Sequence, residues 1–165
     1  MSNKPEEVTI LLVEDDAAHA RLIEKNLRRS NIANEIVKCT DGQQALDYLF
    51  HDGVQSHSTG RYLILLDLNM PGVNGYQVLE RIKADTKTRT IPIIILTTTD
   101  DAREVKRCYE MGCNVYITKP VDYDNFAEAI RRLGLFLTIV SMSIPEKAHP
   151  GHGGEQGTGE EGRRQ

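Results

Sequence analysis

Residues 62–67 read YLILLD, and this stretch decides the fold. Its five consecutive apolar side chains predict a strand that is buried on both faces, as strands of parallel sheets usually are. Asp67 follows the strand directly. Four further runs of aliphatic and β-branched residues predict the other strands, at residues 8–13, 35–39, 91–97 and 115–117. The run at 35–39 alternates more weakly, which is typical of a strand at the edge of a sheet.

A helical pattern follows each predicted strand, and Asp41 is a candidate N-cap for the second helix. The five apolar helix faces comprise Ala20, Ile23 and Leu27; Ala45, Leu46 and Leu49; Val78, Leu79 and Ile82; Ala102, Val105 and Tyr109; and Phe126, Ala129, Ile130, Leu133 and Leu137. Because strands and helices alternate strictly, we predict an α/β fold with a doubly wound, five-stranded parallel sheet and an extended C-terminal helix. Such folds bind ligands at the C-terminal ends of the strands.

The composition excludes several classes of protein. The chain has 165 residues, a net charge of −4 and no cluster of Lys and Arg, so nucleic-acid binding is not expected. No apolar run approaches the roughly 20 residues that span a bilayer, and the first residues lack the pattern of a signal peptide. The cysteines, Cys39, Cys108 and Cys113, lack metal-ligand spacing, so we expect buried or unreactive thiols. We therefore expect a cytoplasmic protein without a membrane contact.

The chain divides into one domain and a tail. We expect the domain at residues 1–144 and a disordered, glycine-rich tail at residues 145–165. His149 and His152 lie in that tail, where a solvated segment is the simpler interpretation than a metal site. The polar segment at residues 51–61 is long for a connection between a helix and a strand, so it is expected to project from the surface.

Polar side chains stand at the ends of four predicted strands. They are Glu14, Asp15 and Asp16 after the first strand, Asp67 after the third, Thr97 at the end of the fourth, and Thr118 and Lys119 after the fifth. The carboxyl ends of parallel strands meet at one edge of the sheet. Each residue alone has an ordinary structural explanation, as a helix cap or a turn. Their combination predicts a site.

Carboxylates that lie this close repel one another unless one takes up a proton or a cation is bound. Oxygen ligands without His or Cys favour a hard ion such as Mg²⁺. Lys119 can meet a phosphoryl oxygen as a point charge, and Thr97 can donate a hydrogen bond to another. The predicted site is therefore complementary to a phosphorylated Asp67.

Four segments carry a family resemblance: VEDD at 13–16, LLDLNMPGVNG at 65–75, IIILTTT at 93–99 and YITKP at 116–120. Together they resemble the receiver domains of two-component response regulators, over roughly residues 8 to 133. The resemblance implies a flavodoxin-like fold. The long segment before the third strand and the stretch MGCNVYITKPVDYDNF at 111–126 resemble the single-domain regulators that are paired with bacterial phytochromes.

The resemblance implies roles for the acidic residues. Asp67 would be the phosphoacceptor and would also bind Mg²⁺. Asp15 would bind the metal directly and Glu14 through a water molecule, while Asn69 would contribute its backbone carbonyl. Asp16 lies one place beyond the usual acidic pair and is assigned no metal contact.

The resemblance also implies roles at the ends of the fourth and fifth strands. Lys119 would pair with the acceptor carboxylate and then with the phosphoryl group. Thr97 and Tyr116 correspond to the hydroxyl and aromatic switch residues, so Thr97 would swing toward the phosphoryl group and Tyr116 would turn inward behind it. The peptide bond before Pro120 resembles the family's cis bond, although cis is rare at X–Pro in general.

The implied function is that of a switch rather than an enzyme. A sensor histidine kinase would donate the phosphoryl group, and the narrower resemblance implies that this kinase is a bacterial phytochrome. The same site would let water remove the group, so that the signal decays. No output domain is expected after the last helix, so the response would pass through contacts with another protein.

Two enzymatic readings and one binding module compete with this interpretation. A Mg²⁺-dependent phosphatase or phosphotransferase would need a second carboxylate two residues beyond Asp67, where Asn69 stands. A flavin-binding module would need a Ser/Thr/Gly-rich phosphate loop after the first strand, which is missing. A nucleotide enzyme of the P-loop type is excluded because its motif does not occur.

A second apolar surface is predicted at the end of the last helix. It comprises Leu135, Phe136, Ile139, Met142 and Ile144, and the first four are the candidate interface residues. An exposed apolar patch usually marks a protein interface, and two-fold pairing is the commonest solution. We therefore expect a homodimer built on this surface. The alternative is a bend near Gly134 that folds these side chains onto their own domain.

Overall fold

The computed structural model describes residues 8–29, 31–53 and 61–119, and also residues 124, 128 and 131. Five parallel strands form one sheet in the order β2-β1-β3-β4-β5. The strands are β1 (Val8–Val13), β2 (Ile36–Cys39), β3 (Arg61–Leu66), β4 (Ile93–Thr97) and β5 (Val115–Thr118). The helices are α1 (Ala17–Arg29), α2 (Gly42–Asp47), α3 (Gly75–Ala84) and α4 (Ala102–Glu110), and a π-helical turn (Tyr48–Gly53) continues α2. The predicted doubly wound sheet is confirmed.

The strand order brings β1 and β3 together at the centre of the sheet. Val13 at the end of β1 is in register with Leu66 at the end of β3. At the next pair, Leu66 is in register with Ile95 of β4. The chain lays β2 on one side of β1 and then crosses to place β3 on the other. The residues that follow β1 and β3 therefore emerge side by side at the point where the strand order changes direction, which is where this architecture binds ligands.

The sheet separates two hydrophobic layers. Leu11 and Val13 of β1 face the layer that is covered by α2, α3 and α4, whereas Ile10 and Leu12 face the layer that is covered by α1. This alternation follows from the period of two residues along a strand. The predicted apolar faces of the first three helices are buried, apart from Leu46, which is only partly buried. The strand ends are thus positioned from both sides by packed helices.

The apolar face that was predicted for α4 is wrong. Ala102 is exposed, Val105 is half-buried, and the Tyr109 side chain is 48% exposed. The buried residue of this helix is Cys108. The helix is only nine residues long. Cys108 packs into the hydrophobic core, while the larger Tyr109 lies on the exposed part of the helix surface. Cys39 and Cys113 are buried free thiols as well, as expected.

The segment that was predicted as a projecting loop lies mostly outside the described residues, which leave out positions 54–60. Residues 51–53 belong to the π-helical turn, and β3 already begins at Arg61. Several other predictions lie outside the described residues: the apolar face of the last helix (Phe126, Ala129, Ile130, Leu133 and Leu137), the tail at 145–165, the cis bond at Pro120, and the apolar surface of Leu135, Phe136, Ile139 and Met142. Among the residues that the structure does describe, no helix is long and apolar enough to cross a membrane.

Candidate functional site

Three carboxylates meet where β1 and β3 end. Ligand oxygens of Glu14, Asp15 and Asp67 all lie within 4.8 Å of one another. Glu14 and Asp67 are buried, while Asp15 is exposed. The main chain holds them in place, because the Asp67 amide donates to the Val13 carbonyl at 3.0 Å. The structure therefore brings together the carboxylates that the strand order predicted.

Lys119 reaches this cluster from the end of β5. Its Nζ atom lies 2.5 Å from Oε2 of Glu14 and 3.6 Å from Oδ2 of Asp67. The residue is only 4% exposed, so its charge is balanced inside the protein rather than by water. The family resemblance predicts that Lys119 pairs with Asp67. The structure places both carboxylates around the ammonium group, with Glu14 as the nearer one.

The electrostatic balance of the cluster shows most clearly at Glu14. Burial raises the pKa of this carboxyl from 4.5 to about 7, and Asp67 adds to the rise by repulsion. The hydrogen bond and the charge of Lys119 act in the opposite direction without cancelling the effect of burial. One buried ammonium group is therefore not enough to hold Glu14 fully ionised, so the cluster has capacity for further positive charge.

Asp16 has a structural role beside the cluster. Its Oδ1 atom accepts hydrogen bonds from the amides of Ala18 at 2.8 Å and His19 at 3.1 Å, so it caps the start of α1. The hydrogen bond from the His19 amide is the main reason why the pKa of Asp16 is lowered. An exposed carboxylate that is used in this way is a helix cap. Asp16 does not belong to the acidic group of Glu14, Asp15 and Asp67.

His19 lies at the rim of the cluster and was missed by the sequence analysis. Its Nδ1 atom lies 3.5 Å from Nζ of Lys119 and 3.8 Å from Oε1 of Glu14. The side chain is 41% exposed. The sequence could have indicated His19, because it lies in the first turn of α1, directly after the acidic residues that follow β1. Within the described part of the chain, the group of possible metal ligands nevertheless contains carboxylates alone.

Asn69 connects Asp67 with Thr97, the last residue of β4, and with Thr99, which follows the strand. Its backbone amide donates a hydrogen bond to Oδ1 of Asp67 at 3.2 Å. Its side-chain Nδ2 atom lies 3.3 Å from Oγ1 of Thr97 and 3.0 Å from Oγ1 of Thr99. Thr97 is fully buried, whereas Thr99 is partly exposed. The sequence assigned Asn69 only a backbone role and did not single out Thr99, although the run TTT at 97–99 offered both hydroxyls.

Tyr116 is already anchored. Its hydroxyl group donates to the Thr99 carbonyl at 2.5 Å, and its amide donates to the Tyr109 hydroxyl at 3.1 Å. Burial raises the pKa of Tyr116, so the phenol remains a donor at neutral pH. The family resemblance predicts that the ring turns inward after phosphorylation. In this structure the residue is half-buried and tied to the segment after β4.

Two glycines allow helices to approach the loop that follows Asp67. A Cβ atom on Gly75 would lie 2.3 Å from the Asp67 carbonyl oxygen, and one on Gly42 would lie 2.2 Å from the Val73 carbonyl oxygen. Real Cβ atoms do not come this close to a backbone, so any other residue would push α3 or α2 away. No pattern in the sequence marks either glycine for this role.

Comparison with known protein families gives a match over most of the described chain. The model of the response regulator receiver domain matches residues 10–131. The chain belongs to this family. Receiver domains of this kind are the signalling switches of two-component systems, in which sensor kinases act on response regulators. The resemblance that the four sequence segments suggested is therefore confirmed.

The chain is similar to several receivers of known structure. A receiver domain from Rhodospirillum rubrum is 54% identical, with a TM-score of 0.75 over 80% of this chain and 94% of the other. The response regulator Rcp1 of Synechocystis is 40% identical over 144 residues, which are 87% of this chain and 96% of Rcp1. Its Mn²⁺-bound structure superposes with a TM-score of 0.72 over 86% and 99% of the two chains, at 31% identity in that structural alignment.

A third similar structure is the phosphorylated cyanobacterial phytochrome response regulator RcpA. It is 33% identical to this chain, with a TM-score of 0.72 over 83% of this chain and 95% of RcpA. The relatives of this receiver therefore include phytochrome-associated response regulators, as the segment at 111–126 indicated.

Proposed function

We propose that this receiver takes a phosphoryl group from a sensor histidine kinase onto Asp67 and signals through contacts with other proteins. The observation that carries the proposal is the cluster of Glu14, Asp15 and Asp67, within 4.8 Å of one another, with the buried Lys119 beside it. Phosphoryl transfer asks a protein mainly to position the reacting oxygens and to neutralise charge. This cluster has the groups for both tasks.

A divalent cation fits the donor set. Carboxylate oxygens and a backbone carbonyl suit a hard ion, and the raised pKa of Glu14 reflects charge that a cation would relieve. We propose Mg²⁺, with Asp15, Asp67 and the Asn69 carbonyl as direct ligands and Glu14 acting through water. Rcp1 has a structure with Mn²⁺ bound, which supports a divalent ion. When bound, the ion neutralises charge on the phosphoryl oxygens.

The chain's own residues perform the remaining tasks. The Asn69 amide holds Oδ1 of Asp67, so the carboxylate keeps one orientation during attack on the donor. Lys119 is close enough to pivot from Glu14 toward a phosphoryl group on Asp67. The Thr97 hydroxyl donates to a further oxygen. Since the product is an acyl phosphate, which water can hydrolyse, the same receiver resets itself.

The output side of the proposal concerns β5 and the helices beside it. Phosphorylation adds charge and acceptor oxygens at Asp67, and Thr97 responds to them. Tyr116 is bonded to the segment after β4, so a shift there changes the surface of α4 and β5. A phosphoryl group can shift the population of states only by interacting differently with them. The partner is a protein in the cytoplasm rather than nucleic acid, given the acidic net charge of −4.

Intact-mass measurement after incubation with acetyl phosphate and Mg²⁺ tests the proposal. We expect one labile phosphoryl group per chain, and none when EDTA removes the metal. Continuous turnover of a small phosphorylated substrate would instead indicate a phosphatase or phosphotransferase. Phosphotransfer from purified bacterial phytochrome kinases, compared with unrelated histidine kinases, tests the narrower partner. Equal transfer from all of them would reject the phytochrome assignment.

We also propose that the receiver forms a homodimer through Leu135, Phe136, Ile139 and Met142. The support is the second apolar surface in the sequence, since an exposed patch of this kind usually marks an interface. Light scattering should give a dimer for the wild type at micromolar concentration and a monomer for a Phe136→Glu/Ile139→Glu variant. A wild type that is monomeric, or a variant that remains dimeric, contradicts the proposal.

A further inference from the structure

The carboxamide of Asn69 forms a bridge between two hydroxyl groups. Its Nδ2 atom lies 3.3 Å from Oγ1 of Thr97 and 3.0 Å from Oγ1 of Thr99. Asn69 also contacts the proposed phosphoacceptor, because its backbone amide donates a hydrogen bond to Oδ1 of Asp67. The far end of the bridge is tied to β5, because the Thr99 carbonyl accepts a hydrogen bond from Tyr116. The carboxamide itself is oriented by its contacts with the two threonine hydroxyls.

The donor inventory sets the direction of each bond in this bridge. An amide NH₂ group has two protons to donate and no lone pair to accept with. Both threonine oxygens are thus acceptors here, each taking one proton from Asn69. A hydroxyl group carries a single proton of its own. The proton of Thr97 is not used in its bond to Asn69 and remains available for an acceptor elsewhere.

We propose that Asn69 and Thr99 are positioning residues that set the polarity of the Thr97 hydroxyl, so that its proton is kept for a phosphoryl oxygen on Asp67. Thr99 acts indirectly, because its hydroxyl oxygen accepts the second proton of the Asn69 side-chain amide. This contact keeps the NH₂ group of Asn69, rather than its side-chain carbonyl oxygen, turned toward Thr97. If the carboxamide turned around, its oxygen would accept the Thr97 proton and compete with the phosphoryl group. The inference rests on the proposed function of Asp67.

The exposure of the bridge separates this role from a structural one. Asn69 is exposed and Thr99 is only partly buried, so removing their side chains leaves the core intact and should change the unfolding temperature little. Removing the Asn69 side chain also leaves its backbone carbonyl and amide in place. Effects on a phosphoryl analogue can therefore be separated from effects on folding and on metal binding.

Titration with beryllofluoride at saturating Mg²⁺, followed by ¹H–¹⁵N NMR, tests the proposal. We expect Asn69→Ala and Thr99→Val each to weaken binding by about three- to tenfold, the range of one net hydrogen bond. Thr99→Ser keeps the hydroxyl acceptor and should bind like the wild type. In a Thr97→Val background there is no proton to direct, so Asn69→Ala should cause no further loss. Asn69→Ser serves as the second variant if Asn69→Ala does not fold.

Each outcome decides between the proposal and its alternatives. A loss in Asn69→Ala that persists unchanged in the Thr97→Val background would mean that Asn69 does not act through Thr97, and would overturn the inference. Wild-type affinity in both Asn69→Ala and Thr99→Val would overturn it as well. If the wild type itself takes no beryllofluoride with Mg²⁺, the proposed function fails and the inference fails with it, whereas binding by the wild type with unchanged variants removes the inference alone.

Discussion

The ammonium group of Lys119 lies 2.5 Å from Oε2 of Glu14 and 3.6 Å from Oδ2 of Asp67. In the protein without a cation, the lysine is thus shared unequally between two buried carboxylates. Its shorter ion pair is with Glu14, and its ion pair with the Asp67 oxygen is longer. A cation beside Glu14 would relieve the lysine of neutralising that carboxylate, so metal binding and the availability of Lys119 for a phosphoryl group should be linked.

The first prediction concerns Asp67, the proposed phosphoacceptor. Asp67→Asn should abolish incorporation of the phosphoryl group while the protein remains folded, because Asn is nearly isosteric and lowers the repulsion within the cluster. Intact mass after acetyl phosphate treatment measures incorporation, and circular dichroism checks the fold. Asp16→Asn is the matched control: Asp16 is an exposed cap of α1, so this variant should still be phosphorylated. Full incorporation in Asp67→Asn would refute the assignment.

The second prediction concerns metal ligands. Asp15→Ala should weaken Mg²⁺ binding sharply, and Glu14→Ala less, because Asp15 is the proposed direct ligand and Glu14 acts through water. Calorimetric titration with Mg²⁺ measures both. The neighbouring Asp16→Ala variant removes a carboxylate of the same segment that lies outside the cluster, so it should bind nearly normally. An Asp15→Ala variant with undiminished affinity is incompatible with the proposed site.

The third prediction is a pH dependence of stability in metal-free protein. Burial raises the pKa of Glu14 from 4.5 to about 7 in the folded chain. Between these values the folded form binds a proton that the unfolded form has lost. The free energy of unfolding should therefore fall as the pH rises from about 4.5 to about 7, and Glu14→Gln should lack this component.

Urea unfolding of both proteins in EDTA, at a series of pH values, measures this difference. The stability of the wild type relative to Glu14→Gln should decline across the window and level off above it. Two curves that run parallel from pH 4.5 to 8 would show that Glu14 titrates normally in the folded protein.

The fourth prediction concerns Gly75. Gly75→Ala would bring a Cβ atom to 2.3 Å from the Asp67 carbonyl oxygen, so α3 must shift, at a cost of about 1–3 kcal/mol in unfolding free energy. The acceptor backbone would move with it, and phosphorylation should slow as well. Gly72→Asn is the control, since Gly72 has φ +74° and open space around it, and Asn tolerates that conformation. Equal stability losses in the two variants would argue against a specific backbone contact.

Much of this fold was predictable because burial on a parallel sheet leaves a strong pattern. Runs such as residues 62–66 stay apolar on both faces, and the polar residue at the end of each strand marks the edge where the site forms. The fourth helix was misread because Val105 and Tyr109 share a helical face by spacing, while Cys108 makes the buried contact. The spacing of apolar residues along the sequence shows which side chains share a helix face. It does not show which face of a short helix packs against the core.

The site was predictable to the level of its carboxylates and lysine, but not to that of its hydrogen bonds. Chain order places Glu14, Asp67 and Lys119 at one edge of the sheet. The nearer partner of Lys119 depends on distances that differ by about one ångström, which no pattern encodes. The contacts of His19 and Thr99 also arise only when separate segments meet in three dimensions.

The two glycine contacts have a consequence for redesigning this receiver. Gly42 and Gly75 press the starts of two helices against the backbone of the loop after β3, at Val73 and Asp67. That loop has little room to be rebuilt, and a longer or bulkier loop would displace the acceptor. After β4, by contrast, Thr98 and Asp100 are exposed. Substitutions that are meant to alter the site without moving its backbone are therefore better made at these two positions than in the loop after β3.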